Sequence, residues 1–359
     1  MNDDEINDVR DAKAFRGTTF SKFKKSDVKK ELLNNMFNGK IENSCYWSAE
    51  LICAGHFMEL WEIILLFSNK HIHLGNPKLP IYIDMRFQVF KEIVQNGYID
   101  NEIRMRNNEK IRKMFAEIIC VLCNSTKKHS FETIKIKDDD FDMTTMTDRL
   151  KAKNVFYVQP VFMKGDPKEL FIALNELAYN VSNDANNMVS SCYWIEWILE
   201  FETRCTKRKE KCVCERRSNM PVNEKYQMDV IWIVWDIFLN ESSKQSKIIQ
   251  KIIKSSLDLF CLRYTPNVKK RRRFLLYYIV SLLTEPVKTN VPIISNTKTI
   301  ENVQEKINTI YRQIKKNEER PETDYLFNNK MTGRSNIEKT VEKLDKLKSM
   351  DTFIPRKES

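Results

Sequence analysis

The sequence predicts a mainly α-helical protein made of two related helical units, with a basic arm before them and a helical tail after them. Apolar residues recur at three- and four-residue spacing along most of the 359-residue chain, which is typical of helices that bury one face. Strand-like alternation is confined to one short stretch, 131–137. A tetrapeptide, Ser-Cys-Tyr-Trp, also occurs twice, and such repetition is typical of a duplicated unit.

These observations divide the chain into four parts: an arm at 1–40, a first helical unit at 41–154, a second helical unit at 155–290 and a polar helical tail at 291–359. The last boundary follows Pro286, after which the composition becomes polar and rich in lysine. A hydrophobic content of 42% with only seven glycines gives both units enough apolar surface to bury a core.

The arm is polar and basic, with phenylalanines spaced among lysines, and it holds one predicted helix over 27–37. Asp27 is expected to cap the start of this helix, and Gly39 is expected to end it.

The first unit continues with helices on either side of Gly55, which interrupts the apolar pattern. A Gly-Asn-Pro sequence at 75–77 predicts a turn, and helical periodicity resumes over 81–94 and 102–123. The alternating stretch at 131–137 is expected to form a short strand or one arm of a hairpin.

The second unit opens with a helix start signal. We expect a helix over 168–181. Asp166 is expected to cap this helix, and Pro167 is expected to take its first position. Apolar periodicity predicts further helices over 192–201, 226–239, 247–264 and 271–283.

The repeated tetrapeptide lies at Ser44–Trp47 and again at Ser191–Trp194. Each copy follows a helix that opens with Lys-Glu-Leu and precedes an apolar helix centred on tryptophan. This shared order predicts two superposable units in which Trp47 and Trp194 occupy equivalent buried positions.

The tail carries two narrow apolar stripes at helical spacing. Each stripe predicts a helix that packs on a partner protein or back on the body. The first consists of Ile300, Val303, Ile307, Ile310 and Ile314, and the second of Ile337, Val341, Leu344 and Leu347.

The chain opens with an acidic sequence, Met1–Glu5, and its most apolar stretches are about ten residues or shorter. These features predict neither a secretory signal nor a membrane-spanning helix, which needs about 20 apolar residues. Nine cysteines, several of them inside apolar runs, favour a reducing compartment.

Sixty Lys and Arg residues against 49 Asp and Glu residues give a net charge of +11, which favours anionic partners such as DNA or RNA. Two basic concentrations lie in the second unit. Such clusters neutralise phosphates or serve as a nuclear-import address, and the alternative is a solvated helix start. The candidate nucleic-acid-binding residues are Lys207, Arg208, Lys209, Lys211, Arg216, Arg217, Lys269, Lys270, Arg271, Arg272 and Arg273.

No sequence signature of nucleotide hydrolysis, dinucleotide binding, serine hydrolysis or kinase chemistry occurs. Cys205, Cys212 and Cys214 leave zinc open as an alternative, although their spacing is not that of a paired cysteine motif and no histidine is near. The acidic run at 138–142 is most simply a solvated turn. The sequence therefore predicts no catalytic residue, no metal site and no cofactor.

Three segments, Ser44–His56, Lys70–Pro80 and Cys192–Ile198, resemble a largely uncharacterised protein family of nucleocytoplasmic large DNA viruses, the giant and large algal viruses. The Asn- and Lys-rich surface suits an AT-rich genome of that kind. The resemblance brings no catalytic motif. It implies a viral protein that is made in the host cytoplasm and acts in the virus factory or the particle.

Together these expectations describe a non-enzymatic viral binding or assembly factor. Its basic second unit is expected to contact nucleic acid or another polyanion, and its arm and tail to contact other viral proteins. One alternative is a minor capsid or internal virion protein whose arm and tail order on assembly. Another is an enzyme with a hidden metal site around His56, His71, His73 and Asp84, or around the three cysteines.

Overall fold

The computed structural model describes residues 4–99, 101–294 and 296–319, and in them the predicted mainly helical architecture is confirmed. No strand occurs in these residues. The helices are α1 (Lys25–Phe37), α2 (Ile41–Cys53), α3 (Phe57–Phe67), α4 (Leu79–Gln95), α5 (Glu109–Asn124), α6 (Met143–Arg149), α7 (Phe171–Val181), α8 (Met188–Arg208), α9 (Ile231–Ser242), α10 (Lys247–Phe260), α11 (Val268–Arg271), α12 (Arg273–Thr284) and α13 (Thr297–Lys315).

The chain divides into two compact units. The larger comprises Met1–Ile6 and Asp11–Asn317, and the smaller comprises Asn7–Arg10 and Glu318–Ser359. Most of the predicted arm, both predicted helical units and the first tail helix thus belong to one body. In the described part of the smaller unit, the guanidinium of Arg10 lies 2.6 Å from the carboxylate of Asp8.

Glycine and proline fix helix boundaries in the first half of the body. Gly55 separates α2 from α3 with a φ of +76°, a conformation that glycine adopts without steric cost. Pro80 lies in the first turn of α4, where a missing backbone N–H leaves no hydrogen bond unmade. Asp27 is not the N-cap that was predicted, because α1 begins at Lys25 and Asp27 lies in its first turn.

Asp166 is not a helix cap, and the reason is a competing partner. Its carboxylate accepts two hydrogen bonds from Arg217, at 2.6 and 2.8 Å. The backbone after Pro167 forms a short 3-10 turn at Lys168–Leu170, and α7 begins only at Phe171.

The predicted strand at 131–137 is wrong. The segment is irregular, and Phe131, Ile134 and Ile136 pack half-buried against the core. Its apolar residues are therefore explained by packing against the core without a strand. A strand needs a paired neighbour, and no strand lies in the described residues.

The predicted arm packs on the body through its phenylalanines. Phe15 and Phe20 are buried, with ring centroids 5.8 Å apart. Glu50 of α2 is also buried, and it accepts hydrogen bonds from the Thr19 hydroxyl and the Ser21 backbone N–H, both at 2.9 Å. Residues predicted to reach toward partner proteins thus complete this protein's own core.

The first tail helix, α13, packs on α2 and α5 of the same body. It buries Ile300, Ile307 and Ile314 of the predicted stripe, together with Tyr311. The guanidinium of Arg112 lies 4.0 Å from the centre of the Tyr311 ring. The second predicted stripe, at 337–347, lies outside the described residues.

The internal duplication is not confirmed. Trp194 is 1% exposed, whereas Trp47 is only half-buried. Among the α-helices, the tryptophan helix of the first half, α3, packs most on α2 and also on α1 and α12. Its proposed counterpart α9 packs most on α10 and also on α7 and α12. The two copies do share the packing of the helix that carries the tetrapeptide on the helix before it, α2 on α1 and α8 on α7. In both copies the serine hydroxyl, of Ser44 or Ser191, donates to the carbonyl four residues earlier.

Contacts between the two predicted helical units are extensive. α4 packs along α10, and the Tyr278 hydroxyl of α12 donates to the backbone carbonyl of Pro77. On the surface, Lys128 pairs with Glu285 at 3.0 Å. The boundary predicted near 154 therefore separates two halves of one core.

Candidate polyanion-binding surface

The structure divides the eleven predicted basic residues into three groups by burial. Arg217, Lys269 and Arg272 are buried, and Lys270 and Arg273 are half-buried. The exposed residues are Lys207, Arg208, Lys209, Lys211, Arg216 and Arg271. The exposed side chains are accessible to an anion in solution, whereas the buried and half-buried cations bind partners within the protein.

Lys269 is held inside the body by acidic residues. Its ammonium lies 2.7 Å from the nearer carboxylate oxygen of Asp229 and also pairs with Glu202. The Tyr264 hydroxyl donates to the other oxygen of Asp229 at 2.8 Å. Burial raises the pKa of Glu202, and the charge of Lys269 opposes that rise.

Arg272 joins the two halves of the body. It pairs with Glu62 of α3, and it donates to the backbone carbonyl of Phe260 at 2.6 Å. That carbonyl belongs to the last turn of α10, where helix carbonyls lack partners within the helix. Arg272 therefore provides a hydrogen-bond donor for the end of α10 and a counter-charge for Glu62.

Two further cations of the basic run, Arg273 and Lys270, are also paired. Arg273 lies 3.1 Å from Glu196, which additionally accepts from the Tyr277 hydroxyl at 2.7 Å. Lys270 lies 3.5 Å from Glu200. Five consecutive cations in the sequence thus present chiefly one, Arg271, to solvent.

Arg217 is the most enclosed of the predicted residues. Besides Asp166, it binds Asp236 at 2.8 Å, and it donates to the backbone carbonyls of Val161 and Glu215. These bonds tie the loop before α9 to the segment before α7. Arg216, next to it, is exposed and lies 3.7 Å from Glu224.

Four exposed cations remain together at the end of α8, namely Lys207, Arg208, Lys209 and Lys211, and we call this group the basic end of α8. Lys207 and Arg208 form the last turn, and Lys209 closes the helix with a φ of +61°. Among the described residues, none of the four forms a salt bridge. Cations at this position also complement the negative end of the helix dipole, which is the structural reason for finding them there.

A second exposed basic row lies on α10, outside the residues predicted from the sequence to bind nucleic acid. Lys247, Lys251 and Lys254 are exposed on the polar side of a strongly amphipathic helix. Their spacing of four and three residues places them on one face, and this helical periodicity is the signal that would have identified them. A search for consecutive basic residues misses such a row.

The predicted zinc alternative has no assembled site among the described residues. Cys214 donates to the backbone carbonyl of Asp229 at 3.2 Å, and burial raises the pKa of the Cys212 and Cys214 thiols to about 12. Throughout the residues that the structure describes, no three His, Cys, Asp or Glu side chains are grouped closely enough to hold a metal ion.

The acidic run at 138–142 is only partly the solvated turn that was expected. Asp140 is buried, and its carboxylate accepts from the Tyr193 hydroxyl at 3.0 Å while its carbonyl accepts from the Trp197 indole N–H at 3.0 Å. Asp138 is exposed and pairs with Arg204 of α8. The run therefore anchors the connection before α6 onto α8.

Neither a protein-family model, nor a curated protein, nor a solved structure matches the chain. Among the described residues, no helix has the length and apolar character needed to cross a membrane.

Proposed function

We propose that the protein is a non-enzymatic binding factor that contacts nucleic acid or another polyanion through the basic end of α8. The observation that supports this proposal is the exposure of four cations within five residues, none of them in a salt bridge in the described part of the chain. Unpaired cations release counterions from a phosphate backbone without first breaking an internal ion pair. The run at 269–273 offers only one such cation, Arg271, because its other four members pair with carboxylates of the body.

The resemblance to proteins of large DNA viruses gives this proposal its setting. In that setting the protein acts as a viral binding or assembly factor in the virus factory in the host cytoplasm, or in the particle. Partner proteins are part of the same proposal, but the described parts of the arm and of the first tail helix pack on the body. Any contact that those residues make to a partner must therefore use their outer faces.

The experiment is a salt titration of binding to fluorescent single- and double-stranded DNA and RNA. Replacing Lys207, Arg208, Lys209 and Lys211 together by Gln should weaken binding and flatten the plot of log affinity against log salt. Each lost phosphate contact changes that slope by about 0.7 to 0.9.

The control replaces Lys247, Lys251 and Lys254 by Gln, because these three exposed lysines of α10 carry a similar charge on another surface. An unchanged slope in the α8 variant would refute the proposal. An equal loss in both variants would also refute it, since affinity would then follow net charge alone.

A further inference from the structure

An apolar groove lies beside the basic end of α8. It has a volume of about 410 Å³, in the range of about 300 to 1,000 Å³ that is usual for ligand sites. Trp197 and Phe201 of α8 line it, with Met143 and Met146 of α6 on one side and Ile172 of α7 on another. All of these residues belong to the larger compact unit.

The groove exposes large apolar side chains to water. Met143 is 74% exposed and Ile172 is 44% exposed. α6 itself contains no fully buried residue. Grouped exposed apolar surface on a protein commonly marks a binding site, and methionine side chains adapt to varied partners because they are flexible and polarisable.

Cations dominate the charged residues that line the groove. Lys168, Arg204 and Arg208 line it, against one carboxylate, Glu169. Arg204 is already paired with Asp138, so Lys168 and Arg208 are the cations left for a ligand. Arg208 is shared with the basic end of α8, so the apolar and basic surfaces are continuous. An occupant that matches both must combine apolar side chains with negative charge.

The aromatic rings in the groove offer little to a nucleic-acid base. Trp197 is 3% exposed, and its ring lies 4.8 Å from that of Phe141 and 5.4 Å from that of Phe201, centre to centre. The guanidinium of Arg204 covers Phe141 at 3.9 Å. Base stacking requires a free ring face, and the most exposed apolar side chains of the groove, Met143 and Ile172, carry no ring.

We propose that this groove is the docking site for an acidic amphipathic helix of a partner protein. Such a helix presents apolar residues at i, i+3, i+4 and i+7 to the groove, and its flanking carboxylates face Lys168 and Arg208. The inference rests partly on the proposed function, because both use Arg208, but it adds an apolar contact that nucleic acid does not supply.

The test measures binding of a fluorescein-labelled synthetic helix of about 18 residues with leucines at those positions and glutamates elsewhere. Fluorescence anisotropy should show that Ile172→Glu and Met143→Glu each weaken binding about tenfold or more, equivalent to about 1.4 kcal/mol. The matched control is Val189→Glu, which changes a 49% exposed apolar residue of α8 about 18 Å along the helix from Phe201. It should leave the affinity unchanged.

A second peptide of identical composition with scattered leucines separates docking from charge attraction. It should bind about tenfold more weakly, because it presents no continuous apolar face. Equal binding of both peptides, or equal loss in Val189→Glu and Ile172→Glu, overturns the proposal. The salt titration with DNA on the same variants keeps the two proposals apart. If Ile172→Glu also loses DNA binding, the docking proposal is overturned, whereas the proposal of polyanion binding still stands.

Methyl NMR of the intact protein gives a readout that does not depend on variants that fold poorly. With 13C-labelled methionine methyl groups, the peptide should shift the signals of Met143 and Met146. Shifts confined to other methionines would place the peptide elsewhere and refute the docking site. Self-association of the protein that Ile172→Glu abolishes would refute it too, because the occupant would be a second copy.

Discussion

Lys269 places its ammonium between the carboxylates of Asp229 and Glu202, and all three groups are withdrawn from water. Charges removed from water in this way are stable only when they compensate each other. Buried cations in this protein therefore serve the fold. Arg217, between Asp166 and Asp236, follows the same rule.

We expect Lys269→Gln to lower the free energy of unfolding by about 3 to 5 kcal/mol, because it leaves two buried carboxylates without a counter-charge. Urea denaturation followed by tryptophan fluorescence measures the change. Lys207→Gln makes the same chemical change on an exposed side chain and should lower the free energy of unfolding by no more than about 0.5 kcal/mol. Similar midpoints for both variants would contradict the structural role of Lys269.

His73 predicts a pH dependence of stability. The side chain is buried against Tyr278, with ring centroids 5.6 Å apart, and burial lowers its pKa from 6.5 to about 4. The unfolded chain therefore binds a proton at higher pH than the folded chain. The contribution of His73 to the free energy of unfolding is fully present above about pH 6.5 and is lost as the pH falls toward 4, at up to about 1.4 kcal/mol per pH unit.

Urea denaturation at a series of pH values from 7.5 to 4.5 tests this dependence. His73→Asn should reduce the slope of stability against pH, because asparagine cannot take up the proton. An unchanged slope would show that His73 is not the group responsible.

At the scale of the element, apolar periodicity predicts helices from local sequence. The prediction succeeds for α2, α3 and α10 because the apolar residues of each helix determine which side is buried. It underestimates α8, which continues seven residues past Phe201 to Arg208 because an exposed basic surface is compatible with a helix. The burial of Arg272 was not predictable in this way, since its partner Glu62 lies 210 residues earlier.

The candidate site was predictable from the sequence only where it depends on a local pattern. The basic end of α8 is visible in the sequence as a run of lysines and arginine, and the structure shows these side chains exposed. The groove beside it combines Met143, Ile172 and Phe201 from three helices, so no local pattern indicates it.

The docking of α13 predicts a local effect of substitution. Ile307→Asp places a carboxylate in a 3% exposed position and should detach α13 from α2 and α5, because an unpaired buried charge is costly. Hydrogen exchange should rise in 297–315 and also in 41–53. Lys306→Asp, on the exposed face, is the control, and an equal rise there would contradict the packing.

At the scale of the whole molecule, the two predicted helical units share one core. α10 packs on α4, and Arg272 pairs with Glu62 across the predicted boundary. We expect neither 11–154 nor 155–317 to fold alone, because each would expose the face that covers the other. Near-ultraviolet circular dichroism of the separate fragments measures this, and a native-like spectrum from either one would support autonomous domains.

The position of α13 also bears on how the chain is made. α2 and α5 are complete early in synthesis, whereas the helix that covers them is translated about 240 residues after α2, which takes about 12 to 50 s at ordinary ribosome speeds. During that interval the ribosome-bound chain presents the apolar faces that Ile307 and Tyr311 later cover. Nascent chains of this protein should therefore be clients of ribosome-associated chaperones until α13 has emerged from the ribosome.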